Sequence, residues 1–318
     1  MSESTKNSPS VRFIDITQEE AGQRIDNYLM RELKGAPKSY IYRILRKGEV
    51  RVNKGRVKAH YKLNPGDTVR LPPMRLAARA DQKGNVSDSL KNLLSNSVIY
   101  EDDRILVVNK PSGLAVHGGS GVNVGVIEVL RQLRSEEKHL ELVHRLDRDT
   151  SGCLLISKKR SALRTLHELI RENRIDKRYL TLLHGSWRKG VQTVDMPLKK
   201  NTLQGGERVV RVDVEGKPSK TIFRRIERFA EASLIEAELI TGRTHQIRVH
   251  SQWLGSPVLG DQKYGDAAAN RAFRDKGLKR LFLHAFKLGL RWPGEKKQLI
   301  VEAPLPEALS EILLKLKS

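Results

Sequence analysis

Residues 144–156 constrain the fold of this chain most strongly, because a charged loop there runs directly into an apolar segment. The loop reads HRLDRDTSG over residues 144–152, and the apolar residues 153–156 follow it without a spacer. A Thr-Ser-Gly turn followed by an apolar run is typical of a loop that enters a buried strand. The sequence therefore predicts a strand that fixes Asp147 and its charged neighbours in place.

Asp147 lies between two arginines, Arg145 and Arg148, whose guanidinium groups favour the ionised form of a nearby carboxylate. An ionised and rigidly placed Asp is a candidate nucleophile. A surface loop with a structural ion pair would give the same pattern, so both interpretations stay open on these residues alone. A glycosidase with Asp147 and Asp149 as paired carboxylates fits less well, because the arginines favour ionisation of both and a general acid needs a raised pKa.

The net charge of the chain is +22, from 59 Lys and Arg against 37 Asp and Glu. A charge of this size indicates a nucleic-acid partner. A membrane-surface protein is the weaker alternative, because the cations are spread through folded segments and are not concentrated in one amphipathic helix. No signal-peptide core and no apolar stretch of membrane-spanning length is present, so we expect a cytoplasmic protein without a membrane partner.

The single cysteine, Cys153, excludes an intramolecular disulfide and a cysteine-based zinc site.

A chain of 318 residues is long for one core, and two domains are expected. The composition predicts a disordered or extended tail over residues 1–21, a small domain over 22–75, a linker over 76–96 and a larger domain over 97–318. Strand and helix patterns mix in the larger domain without regular strand–helix–strand units. We therefore predict an α+β fold with a mixed, mainly antiparallel sheet flanked by helices.

The small domain combines helical and strand patterns within some fifty residues. Two amphipathic helices are predicted, with Ser39 capping the second and Gly48 ending it. The turn residues 53–55 indicate a hairpin between residues 50–52 and Val57, and an alternating strand follows near residue 70.

The small domain also holds a large share of the excess charge, with 14 Lys and Arg against 4 Asp and Glu. Contacts to phosphates need such a density of cations, whereas the alternative is a solvated basic face. Six cations cluster near the second helix and the hairpin: Arg43, Arg46, Lys47, Arg51, Lys54 and Arg56.

A second informative string, TGRTHQIRVH, covers residues 241–250. Its hydrogen-bond donors are the side chains of Arg243, His245, Gln246 and Arg248. Donors beside a tight Thr-Gly turn suit recognition of phosphate or carboxylate, although a capped helix start with a satisfied histidine would look similar. His245 and His250 are five residues apart and have no glutamate between them, so the pattern does not predict a metal site.

A third string places Lys177 and Tyr179 at the start of a predicted strand. The tyrosine could stack on a base and the lysine could bind phosphate, while core or edge packing is the usual role of a strand tyrosine.

Together these strings resemble the motifs of the RluA family of pseudouridine synthases, and the resemblance covers nearly the whole chain. HRLDRDTSG resembles the catalytic motif of the family, KRYL its Lys-x-Tyr motif and GRTHQIRVH its third motif. Asn109-Lys110-Pro111-Ser112-Gly113 and the segment 259–265 also resemble family signatures, and residues 22–75 resemble the RNA-binding module named after ribosomal protein S-four (the alpha-L motif).

The resemblance implies roles for four residues. Asp147 would be the nucleophile toward a uridine flipped into the active site, and Arg248 would pair with it. Tyr179 would pack on the uracil and help to remove the C5 proton, and Arg145 would lie close to the flipped nucleotide. Whether Asp147 attacks the base or the sugar, or instead removes a ribose proton, stays open.

The resemblance also implies a partner and a reaction type. The partner would be ribosomal RNA of the large subunit, free or within an assembling particle, bound by a monomer. We expect Lys177, Arg243, His245 and Gln246 to contact this RNA, together with Arg145 and the six cations of the small domain. No cofactor or metal is expected, because the reaction is a redox-neutral isomerisation. Residues 199–220, which include Gly205-Gly206-Glu207, are expected to form an exposed hairpin over the RNA. The alternative is a ribosome-assembly or RNA-binding factor with an inactive synthase-like domain, and the intact Asp147, Tyr179 and Arg248 favour the enzyme.

Overall fold

The computed structural model describes residues 10–33, 35–73, 86–118, 124–188, 190–202 and 208–317. The chain forms two compact units divided after Asn85. The α+β class predicted from the sequence is confirmed, with a small unit and a larger unit built on a mixed sheet. No helix in these ranges has both the length and the apolar character that crossing a membrane requires.

The first unit packs two helices on a three-stranded sheet. Its elements are β1 (Arg12–Asp15), α1 (Ile25–Glu32), α2 (Lys38–Lys47), β2 (Arg51–Val52) and β3 (Thr68–Leu71). The strand order is β1-β3-β2, and both pairs are antiparallel. Ile25 and Leu29 of α1 pack in one core with Ile41 and Ile44 of α2 and Val69 of β3. All five side chains are fully buried, as the helical spacing of the apolar residues requires.

Two local predictions for this unit are wrong. The second helix begins at Lys38 after Pro37, whose extended backbone sets the entry into the helix, so Ser39 lies inside the first turn. Strand β2 pairs with β3 and not with a strand at Val57, because the turn at Val52–Gly55 closes on itself. The predicted end of the helix is confirmed, since Gly48 adopts a left-handed φ of 69°.

The expected N-terminal tail is also partly wrong. Residues 12–15 form β1, which pairs with β3, so the unit begins before residue 22. The sequence pattern did not indicate this strand, because an edge strand needs little apolar content and its residues stay largely exposed. Phe13, for example, is 67% exposed. Residues 1–9 of the predicted tail lie outside the described residues.

The second unit contains six helices and twelve strands within its described residues. Its first half comprises α3 (Asp88–Ser95), β4 (Val98–Glu101), β5 (Ile105–Lys110), α4 (Val126–Leu133), β6 (Glu141–Leu142), β7 (Ser151–Ser157), α5 (Arg160–Arg171) and β8 (Ile175–His184). Its second half comprises β9 (Val191–Asp195), β10 (Leu198–Thr202), β11 (Arg208–Val212), β12 (Lys220–Arg228), β13 (Ala232–Leu239), α6 (Gln246–Trp253), α7 (Ala267–Asp275), β14 (Leu283–Leu290), β15 (Leu299–Glu302) and α8 (Glu307–Lys317).

One mixed sheet organises this unit, in the order β4-β5-β7-β14-β8-β13-β12-β9, with β15 added to β14 and β6 added to β7. Within the described part of the chain, β7 and β14 form the one parallel pair. The strand predicted after the charged loop is present as β7, and the strand predicted at Lys177 and Tyr179 is present as β8.

Strand β7 lies in the interior of the sheet with both faces covered, which explains why all seven of its residues are buried. Leu154 and Ile156 pack in the core that contains Val126 and Leu130 of α4. Cys153 and Leu155, on the opposite face of β7, pack in the core that contains α5. This double burial is the structural reason for the continuous apolar run after the charged loop.

Gly152 allows β7 to begin beside β14. Its φ of 108° is costly for other residues, and a Cβ atom there would lie 2.2 Å from the carbonyl oxygen of Ala285. The glycine that ends the Thr-Ser-Gly turn is therefore required for the parallel pairing of β7 with β14.

The linker predicted over residues 76–96 does not extend that far. Helix α3 occupies residues 88–95 within the second unit, with the Ser87 hydroxyl accepting a hydrogen bond from the Leu90 amide and Leu94 fully buried. Leucines at helical spacing outweigh the polar composition that suggested a linker. The second unit thus begins at Val86 and not at residue 97, and linker residues 76–85 lie outside the described part of the chain.

Strands β10 and β11 form a separate antiparallel hairpin, as expected for part of residues 199–220. Gly205-Gly206-Glu207, which the prediction included in this hairpin, lie outside the described residues.

Candidate active site

The loop that carries Asp147 lies between β6 and β7, and buried donors hold its backbone. The ammonium group of Lys110, which is fully buried, donates to the carbonyl oxygens of Pro111, Leu114 and Arg148 at 2.8, 2.8 and 2.9 Å. The Ser112 hydroxyl donates to the carbonyl oxygen of Asp149 at 2.7 Å. Burial lowers the pKa of Lys110 to about 7. The loop position is thus set by the segment after β5 as well as by β7.

Arg248 of α6 reaches Asp147 from a point 101 residues later in the chain. Its Nη1 atom donates to Asp147 Oδ2 at 3.3 Å, while Nε and Nη2 donate to the two carboxylate oxygens of Asp261 at 2.7 and 2.8 Å. Burial alone lowers the pKa of Arg248, but the hydrogen bonds and charge of Asp261, followed by those of Asp147, raise it above the ordinary value. The guanidinium therefore stays charged, and its orientation is fixed by two parallel bonds.

His245 approaches the same carboxylate. Its Nε2 atom lies 3.8 Å from Asp147 Oδ2, and its Nδ1 atom is 2.8 Å from the Tyr264 hydroxyl. That hydroxyl also accepts a hydrogen bond from the Val210 amide at 2.9 Å. We therefore assign the Tyr264 hydroxyl as the donor to His245 Nδ1, and we place the proton of the imidazole on Nε2. Burial lowers the pKa of His245, although the charge of Asp147 opposes this effect. The residue has a left-handed φ of 55° at the start of α6.

Asp147 lies on the wall of a pocket of about 270 Å³, which we call the Asp147 pocket. Tyr179 and Lys177 of β8 line it on one side, and the residues from Gly242 to Arg248 line it on another. Both β8 side chains are buried, at 6 and 8% exposure. Burial, followed by the charge of Asp147, raises the pKa of Tyr179, so its phenol is neutral near pH 7. Burial lowers the pKa of Lys177 despite the nearby Asp176.

The sequence predictions in this region are partly reflected in the geometry. The structure brings Asp147, Tyr179 and Arg248 to one pocket, and Arg145 is exposed at its edge. The Arg243 side chain also lines the pocket, and its Nε atom donates to the carbonyl oxygen of Pro218 at 3.0 Å.

Gln246 does not fit the RNA contact predicted for it. Its amide oxygen accepts from the Thr241 hydroxyl at 2.8 Å and from the Arg243 amide at 3.0 Å. Its amide nitrogen donates to the Lys220 carbonyl and the Thr221 hydroxyl, both at 2.9 Å. With 2% exposure and these partners, the side chain holds the turn before α6.

The six cations predicted to bind RNA in the first unit are all exposed. None of them forms an ion pair with a described residue, and their side chains therefore stay available to an anionic partner. Arg51 donates to the carbonyl oxygens of Gly48 and Lys54, and the Arg43 guanidinium lies 4.8 Å from the ring centre of Tyr40.

Two residues of the site were not identified as such from the sequence. Asp261 and Tyr264 belong to a segment whose resemblance was recognised, but nothing local to that segment shows that they contact Arg248 and His245. The sequence feature that could have indicated them is the run Leu259-Gly260-Asp261 with Tyr264-Gly265, in which an acidic and an aromatic residue lie between two glycines. Within the described ranges, no group of three His, Cys, Asp or Glu side chains could hold a metal ion.

Comparisons with known proteins identify the family of the chain. The RNA pseudouridylate synthase family profile matches residues 104–253, and the S4 domain profile matches residues 23–69. The chain is 56% identical to ribosomal large subunit pseudouridine synthase C of Escherichia coli (strain K12), over 98% of each chain. It is 53% identical to the protein of the same name from Haemophilus influenzae, over 97% of this chain and 96% of that one. The structure of human RNA pseudouridylate synthase domain containing 4 matches 72% of this chain and 96% of its own, with a TM-score of 0.60 and 26% identity.

A mixed sheet with Asp147, Tyr179 and Arg248 around one pocket, joined to an S4 domain, defines an RNA pseudouridine synthase. Given 56% identity over nearly its whole length, the chain belongs to the RluA family of these enzymes. The resemblance drawn from the motifs is thereby confirmed, and the enzyme is favoured over a binding factor with an inactive domain.

Proposed function

We propose that this enzyme converts uridine to pseudouridine at specific positions of large-subunit ribosomal RNA, with Asp147 as the nucleophile. The observation that carries the proposal is the position of the Asp147 carboxylate, which lines a pocket with Tyr179 and accepts a hydrogen bond from Arg248. The substrate class follows from the relatives, whose names specify the large ribosomal subunit.

The reaction exchanges one glycosidic bond for another. The N1–C1′ bond breaks, the uracil turns in its pocket, and a C5–C1′ bond forms. The C5 proton is lost and N1 gains a proton, so substrate and product contain the same atoms. No oxidant or reductant is required by this balance, and protein groups can supply the nucleophile and the binding surface.

Asp147 has one oxygen oriented by the protein and one left for the substrate. Oδ2 accepts the hydrogen bond from Arg248, whereas Oδ1 has no hydrogen-bond partner among the described residues. Attack on the sugar, attack on the base and removal of a ribose proton would all use this free oxygen. The charged guanidinium of Arg248 stabilises the carboxylate before attack and again when it is released.

Tyr179 supplies a flat apolar surface inside the pocket, and we assign to it the packing of the uracil ring. Its raised pKa keeps the phenol protonated, which favours this packing role over direct removal of the C5 proton. Aromatic stacking is tolerant of rotation, so a ring at this position can support the base before and after it turns.

A uridine within folded RNA must leave its stack before C1′ can reach a carboxylate. The Asp147 pocket is a recess of suitable scale for an extruded nucleotide. Arg145 is exposed at its edge, where it could contact the flipped nucleotide. We include in the proposal that the exposed cations of the S4 domain bind RNA phosphates, and that the enzyme acts as a monomer in the cytoplasm, on free RNA or an assembling particle.

Mapping of pseudouridines across large-subunit RNA tests the proposal. Cells that lack the protein, cells that produce it and cells that produce Asp147→Asn are compared at every uridine. We expect specific pseudouridines that appear with the wild-type protein alone. An unchanged map in cells without the protein, or full modification by the variant, would contradict it.

A further inference from the structure

Arg280, which lies three residues before β14, carries a half-buried positive charge that forms no direct ion pair with a carboxylate of a described residue. Burial lowers its pKa, and the more distant charge of Asp149 opposes this effect only in part. Its Nη2 atom donates to the Ser151 hydroxyl at 2.7 Å and to the Asp149 carbonyl at 3.5 Å, and its Nε atom donates to the Leu281 carbonyl at 3.3 Å. No carboxylate of a described residue lies within 4.0 Å of it. By contrast, the half-buried Arg178 pairs with Asp176 and Glu236 at 2.9 and 2.8 Å.

The partner of Arg280 is held by a neutral, buried chain of hydrogen bonds. Because Ser151 Oγ accepts from Arg280, we assign its own proton to His284 Nδ1, which is 2.9 Å away. The Nε2 atom of His284 is 3.1 Å from the Ala303 carbonyl and donates to it. Burial lowers the pKa of His284 to about 4, so the ring is neutral near pH 7. This chain orients the guanidinium without neutralising it.

The arrangement leaves one edge of the guanidinium without a partner. An arginine has five N–H donors in a planar fork. Three of them reach acceptors in Leu281, Ser151 and Asp149, and the two on Nη1 have no acceptor among the described residues. A half-buried cation with two adjacent free donors is costly by itself, and an anion with two oxygens relieves that cost.

Arg280 lines a groove of about 1070 Å³ that also contains Asp147, and we call it the Arg280 groove. Arg145, Arg148 and Lys279 line the groove as well. Its other carboxylates are engaged elsewhere: Asp149 pairs with Arg148 at 3.2 Å, and Asp261 pairs with Arg248. The groove therefore has an excess of positive charge along a path that leads to the Asp147 carboxylate.

We propose that Arg280 binds a phosphodiester of the RNA next to the nucleotide that enters the Asp147 pocket. This inference rests on the proposed function, since it places the phosphate beside a flipped uridine. Extrusion of a nucleotide distorts the backbone on both sides of it, and a rigid arginine fork can hold the distorted phosphate in place. The shared groove connects the Arg280 site with the reacting carboxylate.

The first test compares Arg280→Gln with Arg280→Lys and with Arg274→Gln, in which an exposed arginine of α7 loses its charge. Binding of a large-subunit RNA transcript is measured as a function of salt. We expect Arg280→Gln to weaken binding about 10-fold and to reduce the salt slope by about one phosphate contact, with Arg274→Gln close to wild type. Arg280→Lys keeps the charge but loses the fork, so an intermediate affinity is expected.

The second test identifies the phosphate, in a short RNA that contains one mapped uridine. A neutral methylphosphonate replaces each linkage near that uridine in turn, and kcat/KM is measured. At one linkage, the replacement should lower kcat/KM of the wild-type enzyme by about 10- to 100-fold. The same replacement should lower kcat/KM of Arg280→Gln only slightly, because this variant already lacks the contact. Equal losses in both proteins at every linkage, or an unchanged salt slope, would overturn the inference. Thermal unfolding of each variant separates these outcomes from misfolding, and absence of pseudouridine with the wild-type enzyme would instead refute the proposed function.

Discussion

Asp261 accepts two parallel hydrogen bonds from Arg248, at 2.7 and 2.8 Å, and thereby directs the remaining Nη1 atom of that arginine toward Asp147. Asp261 is itself fully buried and also accepts from the amides of Lys263 and Tyr264. The hydrogen bond between Arg248 and Asp147 thus extends a buried ion pair, and its geometry depends on Asp261, a residue that does not line the Asp147 pocket.

Asp261→Asn should damage both stability and catalysis. Loss of one charge leaves Arg248 buried beside a neutral amide, which costs about 3–5 kcal/mol in comparable buried pairs. Urea unfolding measures the loss of stability, and kcat for pseudouridine formation should fall because Arg248 is no longer directed. Asp266→Asn serves as a control, since Asp266 caps α7 outside the site. A variant with wild-type stability and kcat would contradict the role of Asp261.

Asp147→Asn should reduce release of tritium from RNA labelled at uridine C5 by about 10³-fold or more, because the amide cannot act as a nucleophile. Asp149→Asn is the matched control. The Asp149 side chain is half exposed and pairs with Arg148, and the contacts of this residue to Ser112 and Arg280 use its backbone carbonyl. Tritium release by Asp149→Asn should therefore remain within a few-fold of wild type. Equal losses in the two variants would show that the loop, and not the carboxylate of Asp147, is what the reaction requires.

The sequence predicted the parts of this site that follow from local pattern. The apolar run after Gly152 identified β7, and the resemblance of three motifs identified the residues that meet in the Asp147 pocket. Contacts between distant segments were harder to foresee. The pairing of Arg248 with Asp261 joins a helix to a loop residue thirteen positions later. No local pattern in either segment indicates that these two side chains are in contact.

Side-chain roles also depend on burial that a sequence does not show. Gln246 resembled a donor for RNA because it stands beside Arg243 and His245, yet all of its hydrogen bonds are internal. Strand β1 escaped prediction because an edge strand with exposed residues lacks the alternation on which strand patterns rely. Arg280 stood out only after the fold showed that its charge has no carboxylate partner among the described residues.

Two histidines with lowered pKa values, His144 and His284, should make the enzyme less stable as the pH falls from about 6.5 to 4. Burial lowers the pKa of His144 and of His284 to about 4, whereas both rings titrate near 6.5 in the unfolded chain. Between these values the unfolded state binds more protons than the native state, so stability rises with pH across this window. The expected change is about 3 kcal/mol for each histidine over the whole window, lost as the pH falls. Urea unfolding at pH 7 and pH 5 measures it, and His284→Gln should show a smaller difference than wild type. A wild-type free energy of unfolding that is constant across this range would contradict the prediction.

Removal of exposed cations from the S4 domain should weaken RNA binding and flatten its salt dependence. The triple variant Arg46→Gln, Lys47→Gln and Lys54→Gln removes three charges that form no ion pair with a described residue. The matched control removes three exposed charges from the second unit: Arg291→Gln, Lys296→Gln and Lys297→Gln. If each of the three S4 cations contacts a phosphate, log K against log salt loses a slope of about two to three, and affinity at moderate salt falls by an order of magnitude or more. Salt titration of binding to a large-subunit RNA transcript measures both quantities. An equal effect of the two triple variants would show that net charge alone determines affinity, whereas a selective effect of the first supports direct contact between the S4 cations and the RNA backbone.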